Sequence, residues 1–101
     1  MLSTLSYQEL AAQVNTKFRL AETPEPLEIE LIEATEPEIT PRQEMFSLFF
    51  QGPKDFLLPQ RTYQLTHEIL GDGALFLVPV GQTEAGYKYE AVFNRMINQN
   101  S

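Results

Sequence analysis

The sequence predicts a mainly β fold: a six-stranded antiparallel meander that closes into a small barrel, with one N-terminal helix. Three observations predict it. Residues 60–94 fall into three runs of apolar alternation separated by glycine-containing turns. Two shorter alternating runs precede them, and residues 43–51 are apolar on both faces, as a strand buried on two sides requires. Because the turns are short, we expect successive strands to pair antiparallel and the sheet to curl.

Length and composition place the whole chain, 1–101, in one domain. Its 101 residues are 43% hydrophobic and 21% charged, which is enough for a core without covalent staples. There is no cysteine, so disulfides and zinc–thiolate sites are excluded and a reducing compartment fits. No apolar run reaches the roughly 18 residues of a membrane span, and no signal peptide opens the chain. We therefore expect a cytoplasmic location.

The charge of the chain argues against two classes of partner. The formal net charge is −7, and eight of the fourteen acidic residues lie between Glu22 and Glu44, with Arg42 the only base among them. Phosphate backbones and anionic lipids both need a basic surface. We therefore expect no nucleic acid and no membrane as partner.

The helix is predicted over 6–15. Ser6 and Glu9 have the spacing of a capping box, in which each side chain bonds to the other's backbone N–H. Asn15 is a suitable stop. One apolar stripe follows at helical spacing, and it consists of Tyr7, Leu10, Ala11 and Val14.

The first two strands are predicted over 16–22 and 27–35. The prolines at 24 and 26 separate them, because proline removes a backbone donor. The adjacent apolar pair Leu31 and Ile32 interrupts the alternation and predicts either a bulge or a second buried face. A proline-bounded acidic loop over 36–41 leads to the third strand, 43–51, and an irregular turn follows it.

The last three strands are predicted over 60–69, 74–80 and 87–94. Gly71–Gly73 is predicted to form a tight hairpin, and 81–86 a second turn, because glycine tolerates the positive φ of such turns. In the first of these strands, Tyr63, Leu65, His67 and Ile69 share one face. Pro79 cannot donate to a ladder and should lie near a strand end or on an edge.

Only one face of a closed barrel is core, so outward apolar side chains need another cover. We expect the N-terminal helix to pack on the outer face or to plug one end of the barrel, and a partner to cover the remainder. The candidate interaction surface is Phe49, Phe76 and Tyr87.

Four blocks of the sequence, FSLFFQGP, LPQRTY, FLVPVG and YEAVFN, begin at Phe46, Leu58, Phe76 and Tyr89. With them the chain resembles a family of small bacterial domains of unknown function. The resemblance covers most of the chain and implies no chemistry. It favours a role in a phage-tail-like or other bacterial assembly.

Catalytic and metal-binding patterns are weak. A hydrolase-like site would need His67 beside Ser47 across neighbouring strands, with Glu90 orienting the ring. Since His67 shares a face with Tyr63 and Leu65, a packed histidine at the margin of the core is the favoured interpretation. Glu28 and Glu30 share a strand face, which favours a solvated surface over a metal site. We therefore predict no catalytic, cofactor-binding or metal site, and no cofactor.

Three functions follow, in order of preference. The first is a non-catalytic protein-interaction or structural adaptor domain, whose partner is another protein or a second copy. The second is a carrier of a small apolar ligand, with an interior lined by Phe46, Tyr63, Phe76 and Tyr89; a six-stranded barrel leaves little room for it. The third is a hydrolase-like enzyme that uses His67. Because this function ranks last, the chain is predicted not to be an enzyme.

Overall fold

The computed structural model describes residues 2–20 and 27–96. The predicted end of the first strand at 21–22, the proline break at 23–26 and the last residues, 97–101, lie outside the described residues. The described elements are a 3₁₀ helix Leu2–Thr4, the helix α1 Tyr7–Ala11 and the strands β1 Lys17–Leu20, β2 Leu27–Ala34, β3 Glu38–Ile39, β4 Gln43–Gly52, β5 Arg61–His67, β6 Gly71–Thr83 and β7 Gly86–Met96.

The strands form a closed antiparallel barrel, as the sequence predicts. Six strands follow one another in the order β2-β1-β5-β6-β7-β4, and β4 pairs back onto β2. The short β3 adds to β4 beyond the end of β2. It lies in the segment predicted as an acidic loop, where two residues pair with Glu44 and Met45. Along the part of the chain that is described, no helix is long or apolar enough to cross a bilayer.

The predicted meander is right for β5, β6 and β7 and wrong at one connection. After β4 the chain does not return beside β4, because both edges of that strand are occupied by β2 and β7. Residues 53–60 instead cross the barrel, and β5 pairs with β1. The crossing segment is anchored by the buried Leu58, whose N–H donates to the Tyr89 hydroxyl, and by Pro59, whose carbonyl accepts from the Tyr63 hydroxyl. It therefore covers one end of the barrel.

The N-terminal segment covers the opposite end, near the start of β4. Leu2 and Leu10 are fully buried, and the ring of Tyr7 meets the ring of Phe46 edge-on with centroids 5.0 Å apart. Gly73 on β6 permits this packing, because a Cβ there would lie 2.3 Å from the backbone nitrogen of Leu2. Of the two positions predicted for the helix, it takes the one at the end of the barrel.

The helix begins where predicted and ends earlier. The Ser6 hydroxyl accepts from the Glu9 N–H at 3.1 Å, and the Glu9 carboxylate accepts from the Ser6 N–H at 3.0 Å, so the capping box is confirmed. The Ser6 N–H on its carboxylate lowers the pKa of Glu9, and the Ser6 side chain lowers it further. The α-helix stops at Ala11, and turns lead to Asn15, which has a φ of 75°. The positive φ of Asn15 turns the chain into β1.

Of the two turns predicted between the last three strands, the second lies at residues 84–85, within the predicted 81–86, and the first lies elsewhere. Gly71–Gly73 belongs to β6, with Gly71 opposite His67, and the turn is made by residues 68–70. Ile69 therefore leaves the buried face and is 71% exposed. β6 also continues through Gly81 to Thr83. Pro79 lies inside β6 beside a register shift, where the irregular ladder tolerates its missing donor. The bulge predicted in β2 is confirmed, since the register shifts between Leu31 and Glu33.

The barrel interior is one packed cluster of apolar side chains. Alternate residues of every long strand point into it, and Phe46 stacks on Phe93 while Phe18 meets Phe50 edge-on. The core thus follows the period-two pattern of the sequence. The largest of its fully buried side chains are Tyr63, Tyr89, Phe18, Phe50, Leu2, Leu10, Leu20, Ile29, Leu31, Leu48, Leu58 and Leu65.

Candidate interaction surface

One outer sheet face of the barrel carries several outward apolar side chains. It is formed by β4, β6 and β7, whose mutual registers place Phe49 opposite Glu90, Glu90 opposite Val78, and Ser47 opposite Val92. Alternation sets this face, because the flanking residues of each strand are buried. We call it the β4–β6–β7 face, and its members are Met45, Ser47, Phe49, Phe76, Val78, Lys88, Glu90 and Val92.

Two apolar side chains on this face are open to solvent. Phe76 lies between the buried Leu75 and Leu77 and is 49% exposed. Val92 lies between the buried Ala91 and Phe93 and is 65% exposed. The helix does not cover these two side chains, because it packs at the end of the barrel rather than over this face. A sheet face with an exposed aromatic and an exposed valine is a physical candidate for contact with another protein.

Val92 separates two shallow depressions. The depression on the β6 side has a volume of about 240 Å³ and is lined by Phe76, Val92 and Arg95, among others. The depression on the other side has a volume of about 320 Å³ and is lined by Thr35, Glu36, Glu38, Met45, Phe46, Ser47 and Val92. The relief around Val92 gives a partner side chain a place to enter on either side.

The remainder of the face is covered by its own polar groups. The Ser47 hydroxyl donates to the Glu90 carboxylate at 2.5 Å. The Lys88 ammonium lies 4.6 Å from the centroid of the Phe49 ring, a cation–π contact that half-covers this phenylalanine. The open part of the face therefore lies towards Phe76 and Val92 rather than towards Phe49.

The structure brings two of the three predicted surface residues together. Phe49 and Phe76 lie on the β4–β6–β7 face. Tyr87 alternates with Lys88, so it points to the other side of β7, where it is partly buried and packs against the core. The strand alternation from Tyr89 to Phe93 already puts Tyr87 on the inner side of the sheet, and this is the signal that separates it from the other two.

Sequence reasoning missed Val92, the most exposed apolar residue of the face. In the sequence, Val92 alternates with Ala91 and Phe93 and falls in the same row as Lys88, Glu90 and Asn94, an otherwise polar side of the strand. A single β-branched apolar residue on an otherwise polar, outward row is the signal that was available. Phe76 was assigned both to the surface and to the lining of a ligand-binding interior; the structure places it outside, so that lining loses one of its four members.

His67 occupies a separate site at the end of β5. Its Nδ1 accepts from the backbone N–H groups of Ile69 and Leu70, at 3.0 and 3.1 Å. The proton of the neutral ring is therefore on Nε2, which donates to the Thr16 hydroxyl at 2.8 Å. That hydroxyl donates to the Gln13 carbonyl at 2.6 Å. The ring joins the 68–70 turn to the segment between α1 and β1.

Burial lowers the pKa of His67, and the nearby Glu68 carboxylate opposes the shift. The ring also packs on Phe18, with centroids 4.4 Å apart. Both ring nitrogens thus have a hydrogen-bond partner in the fold. This is the arrangement expected of a packed histidine at the margin of the core, the interpretation that the sequence favours. A groove of about 520 Å³ runs beside it, lined by charged residues of both signs, among them Lys17, Arg19 and Glu28.

The predicted neighbours of a catalytic histidine do not meet. β4, which carries Ser47, is separated from β5, which carries His67, by β6 and β7. Glu90 bonds to Ser47 rather than to the histidine ring. The expected proximity of Ser47 and His67 across neighbouring strands is therefore wrong, because the connection from β4 to β5 crosses the barrel end.

The acidic pair Glu28 and Glu30 faces basic residues. Glu28 is opposite Arg19 and Glu30 opposite Lys17 on β1. Cross-strand pairs of opposite charge stabilise a sheet modestly. Among residues 2–20 and 27–96, no cluster of three or more metal-ligating side chains is present.

Comparisons with known proteins give one match. The sequence model of a protein family described as a domain of unknown function (DUF6916) matches residues 5–93. No curated protein and no solved structure matches the chain. The match covers α1 and the barrel strands through Phe93, and it agrees with the resemblance to a family of small domains of unknown function. The chain therefore belongs to the family of the domain of unknown function DUF6916.

Proposed function

We propose that this chain is a non-catalytic protein-interaction domain that binds another protein through its β4–β6–β7 face and acts as a structural adaptor. One observation carries the proposal. Phe76 and Val92 are 49% and 65% exposed on one sheet face while the helix of the chain is used at the barrel end. An aromatic side chain that enters a pocket of a partner is a common source of binding energy.

Two further features support this function over catalysis. The hydrogen bonds of His67 serve the turn and the start of β1, and Ser47 is engaged by Glu90. We also propose a cytoplasmic location, with which the lack of cysteine in the chain is compatible. A phage-tail-like or other bacterial assembly stays a prediction from the family resemblance.

A pair of matched phenylalanines tests the proposal. Phe76 lies on the β4–β6–β7 face, and Phe56, with a similar exposure of 42%, lies in the segment that covers one barrel end. The partner is first isolated with the tagged chain from the source organism, and its Kd is then measured with purified proteins. Phe76→Thr is expected to weaken binding roughly tenfold or more, and Phe56→Thr less than about twofold.

Two results would overturn the proposed function. One is a purified partner whose Kd is the same for the unaltered chain, Phe76→Thr and Val92→Thr. The other is that the purified chain is a monodisperse monomer and that the tagged chain captures no protein from the source organism. Circular dichroism and the midpoint of thermal unfolding show that each variant is folded. We expect folded variants, because Phe76 is about half exposed and Val92 more so.

A further inference from the structure

We infer that the β4–β6–β7 face takes a cationic protein segment that carries apolar side chains, with those side chains in the depression beside Val92 and its lysines or arginines on Glu36 and Glu38. This inference rests on the proposed function and adds the chemistry of the partner. It is carried by the arrangement of charge around the open part of the face.

The depression has an apolar floor and an acidic wall. Met45 and Val92 line it as outward residues of β4 and β7, directly beside Ser47. Glu38 lies opposite Met45 in the β3–β4 pairing and so shares its face, and Glu36 precedes β3 at the same depression. A side chain of about leucine size can occupy this volume of about 320 Å³ while carboxylates stand at its edge.

The acids of this wall have no cationic partner within the described residues. Glu36 and Glu38 are exposed and form no ion pair with any residue of 2–20 or 27–96. Lys88 is the one base among the members of the face, and it lies on the Phe49 ring. A cationic segment would therefore gain attraction from these carboxylates without displacing an existing pair.

Charge also decides between occupants. In a two-fold dimer through this face, the acidic wall would meet the same face of the second copy, whose one base, Lys88, is held on the Phe49 ring and leaves no free cation for the wall. The net charge of −7 opposes an acidic partner, because like charges repel. A basic segment with apolar side chains satisfies both the floor and the wall of the depression.

Three short synthetic peptides test the inference: one alternating lysine and leucine, one alternating glutamate and leucine, and one alternating lysine and serine. Binding to the full chain is measured by calorimetry and by NMR shift changes of the chain. Glu36→Gln/Glu38→Gln removes the acidic wall. Glu68→Gln/Glu84→Gln is the matched control, because it removes two exposed carboxylates from turns away from the face.

The expected result is binding of the lysine–leucine peptide alone, with shifts centred on Ser47 and Val92 and with affinity falling as salt is added. Glu36→Gln/Glu38→Gln should weaken it roughly threefold to tenfold, and the control pair less than about twofold. Equal binding of the glutamate–leucine peptide, equal binding of the lysine–serine peptide, no effect of the wall substitutions, or no binding at all would each overturn the inference.

Val92→Thr separates the inference from the function on which it rests. If the leucine peptides of both charges bind and both lose affinity in Val92→Thr, the face is a binding surface and only the cationic partner is wrong. If binding does not respond to Val92→Thr, and the purified natural partner does not respond either, the proposed function fails as well.

Discussion

The hydroxyl of Tyr89 accepts a hydrogen bond from the backbone N–H of Leu58 at 2.8 Å, deep in the barrel. Tyr89 is fully buried on β7, and Leu58 lies in the segment that crosses from β4 to β5. The bond thus fixes that crossing to the core. Burial raises the pKa of Tyr89, so its hydroxyl stays neutral at ordinary pH.

Tyr89→Phe should destabilise the chain by about 1–3 kcal/mol, because a buried N–H loses its acceptor. The free energy of unfolding is measured by urea denaturation. Tyr87→Phe is the matched control, because the partly buried Tyr87 hydroxyl makes no described hydrogen bond, and a change below about 0.5 kcal/mol is expected. Equal stability of Tyr89→Phe and the unaltered chain would contradict the role given to this bond.

Gly86→Ala should destabilise the chain by about 3 kcal/mol or more. Gly86 has a φ of 151°, and a Cβ there would lie 1.8 Å from the Gly52 carbonyl oxygen. Gly81→Ala is the control, because no atom beyond its two chain neighbours lies within 4 Å of a Cβ at that position and its φ is not positive. Thermal unfolding of both variants checks the difference. Two alanine variants of the same stability would show that the close approach of β4 and β7 is not required.

Leu2→Ala should cost about 2–4 kcal/mol, since Leu2 is fully buried against β6 at Gly73. Leu57→Ala, at a half-exposed leucine in the crossing segment, should cost less than about 1 kcal/mol. Both values come from urea denaturation. If Leu2→Ala were as mild as Leu57→Ala, the 3₁₀ helix would not contribute to the closure of the barrel.

Stability should fall as the pH drops below about 6.5, the ordinary pKa of histidine. Because burial lowers the pKa of His67 in the folded chain, the unfolded chain binds that proton more readily. The stabilisation is complete above the unfolded pKa and is lost as the pH falls towards the folded one. NMR titration follows this ring directly, since His67 is the only histidine.

His67→Asn is the control for the pH dependence, because its amide oxygen can still accept from the turn but does not titrate. Between about pH 7.5 and 5.5 it should show a flatter change in unfolding free energy than the unaltered chain. An equally steep change in this variant would assign the dependence to other groups.

Most of the strands could be predicted from the sequence because their side chains alternate with the period of a strand. Phe18 and Leu20, or Tyr89, Ala91 and Phe93, point inward as the pattern indicates. The capping box of Ser6 and Glu9 is local, and it also forms as predicted. The exact turns were not predictable in this way. Glycines at 71 and 73 suggest a hairpin there, but the turn lies at 68–70, where the ring of His67 accepts from the N–H groups of Ile69 and Leu70, a contact that no turn-forming residue type signals.

The candidate site was only partly predictable. Phe49 and Phe76 were placed on the outside, yet Lys88 half-covers Phe49 while Phe76 stays open. Val92 was missed because its exposure depends on where the helix packs, and the helix was free to cover either a sheet face or a barrel end. The acidic wall at Glu36 and Glu38 depends on β3, which is too short to give a periodic signal.

By itself, the sequence determined most of the strands and, where apolar and polar residues alternate, which side is core, because alternation is a pattern of neighbouring residues. Only the tertiary structure decided the order of the strands around the barrel and the side chains left uncovered. β4 is enclosed by β2 and β7, so the chain must cross the barrel end before β5 can pair with β1. That choice depends on which free edges and open ends remain once the barrel closes, a property of the whole fold that no local pattern encodes.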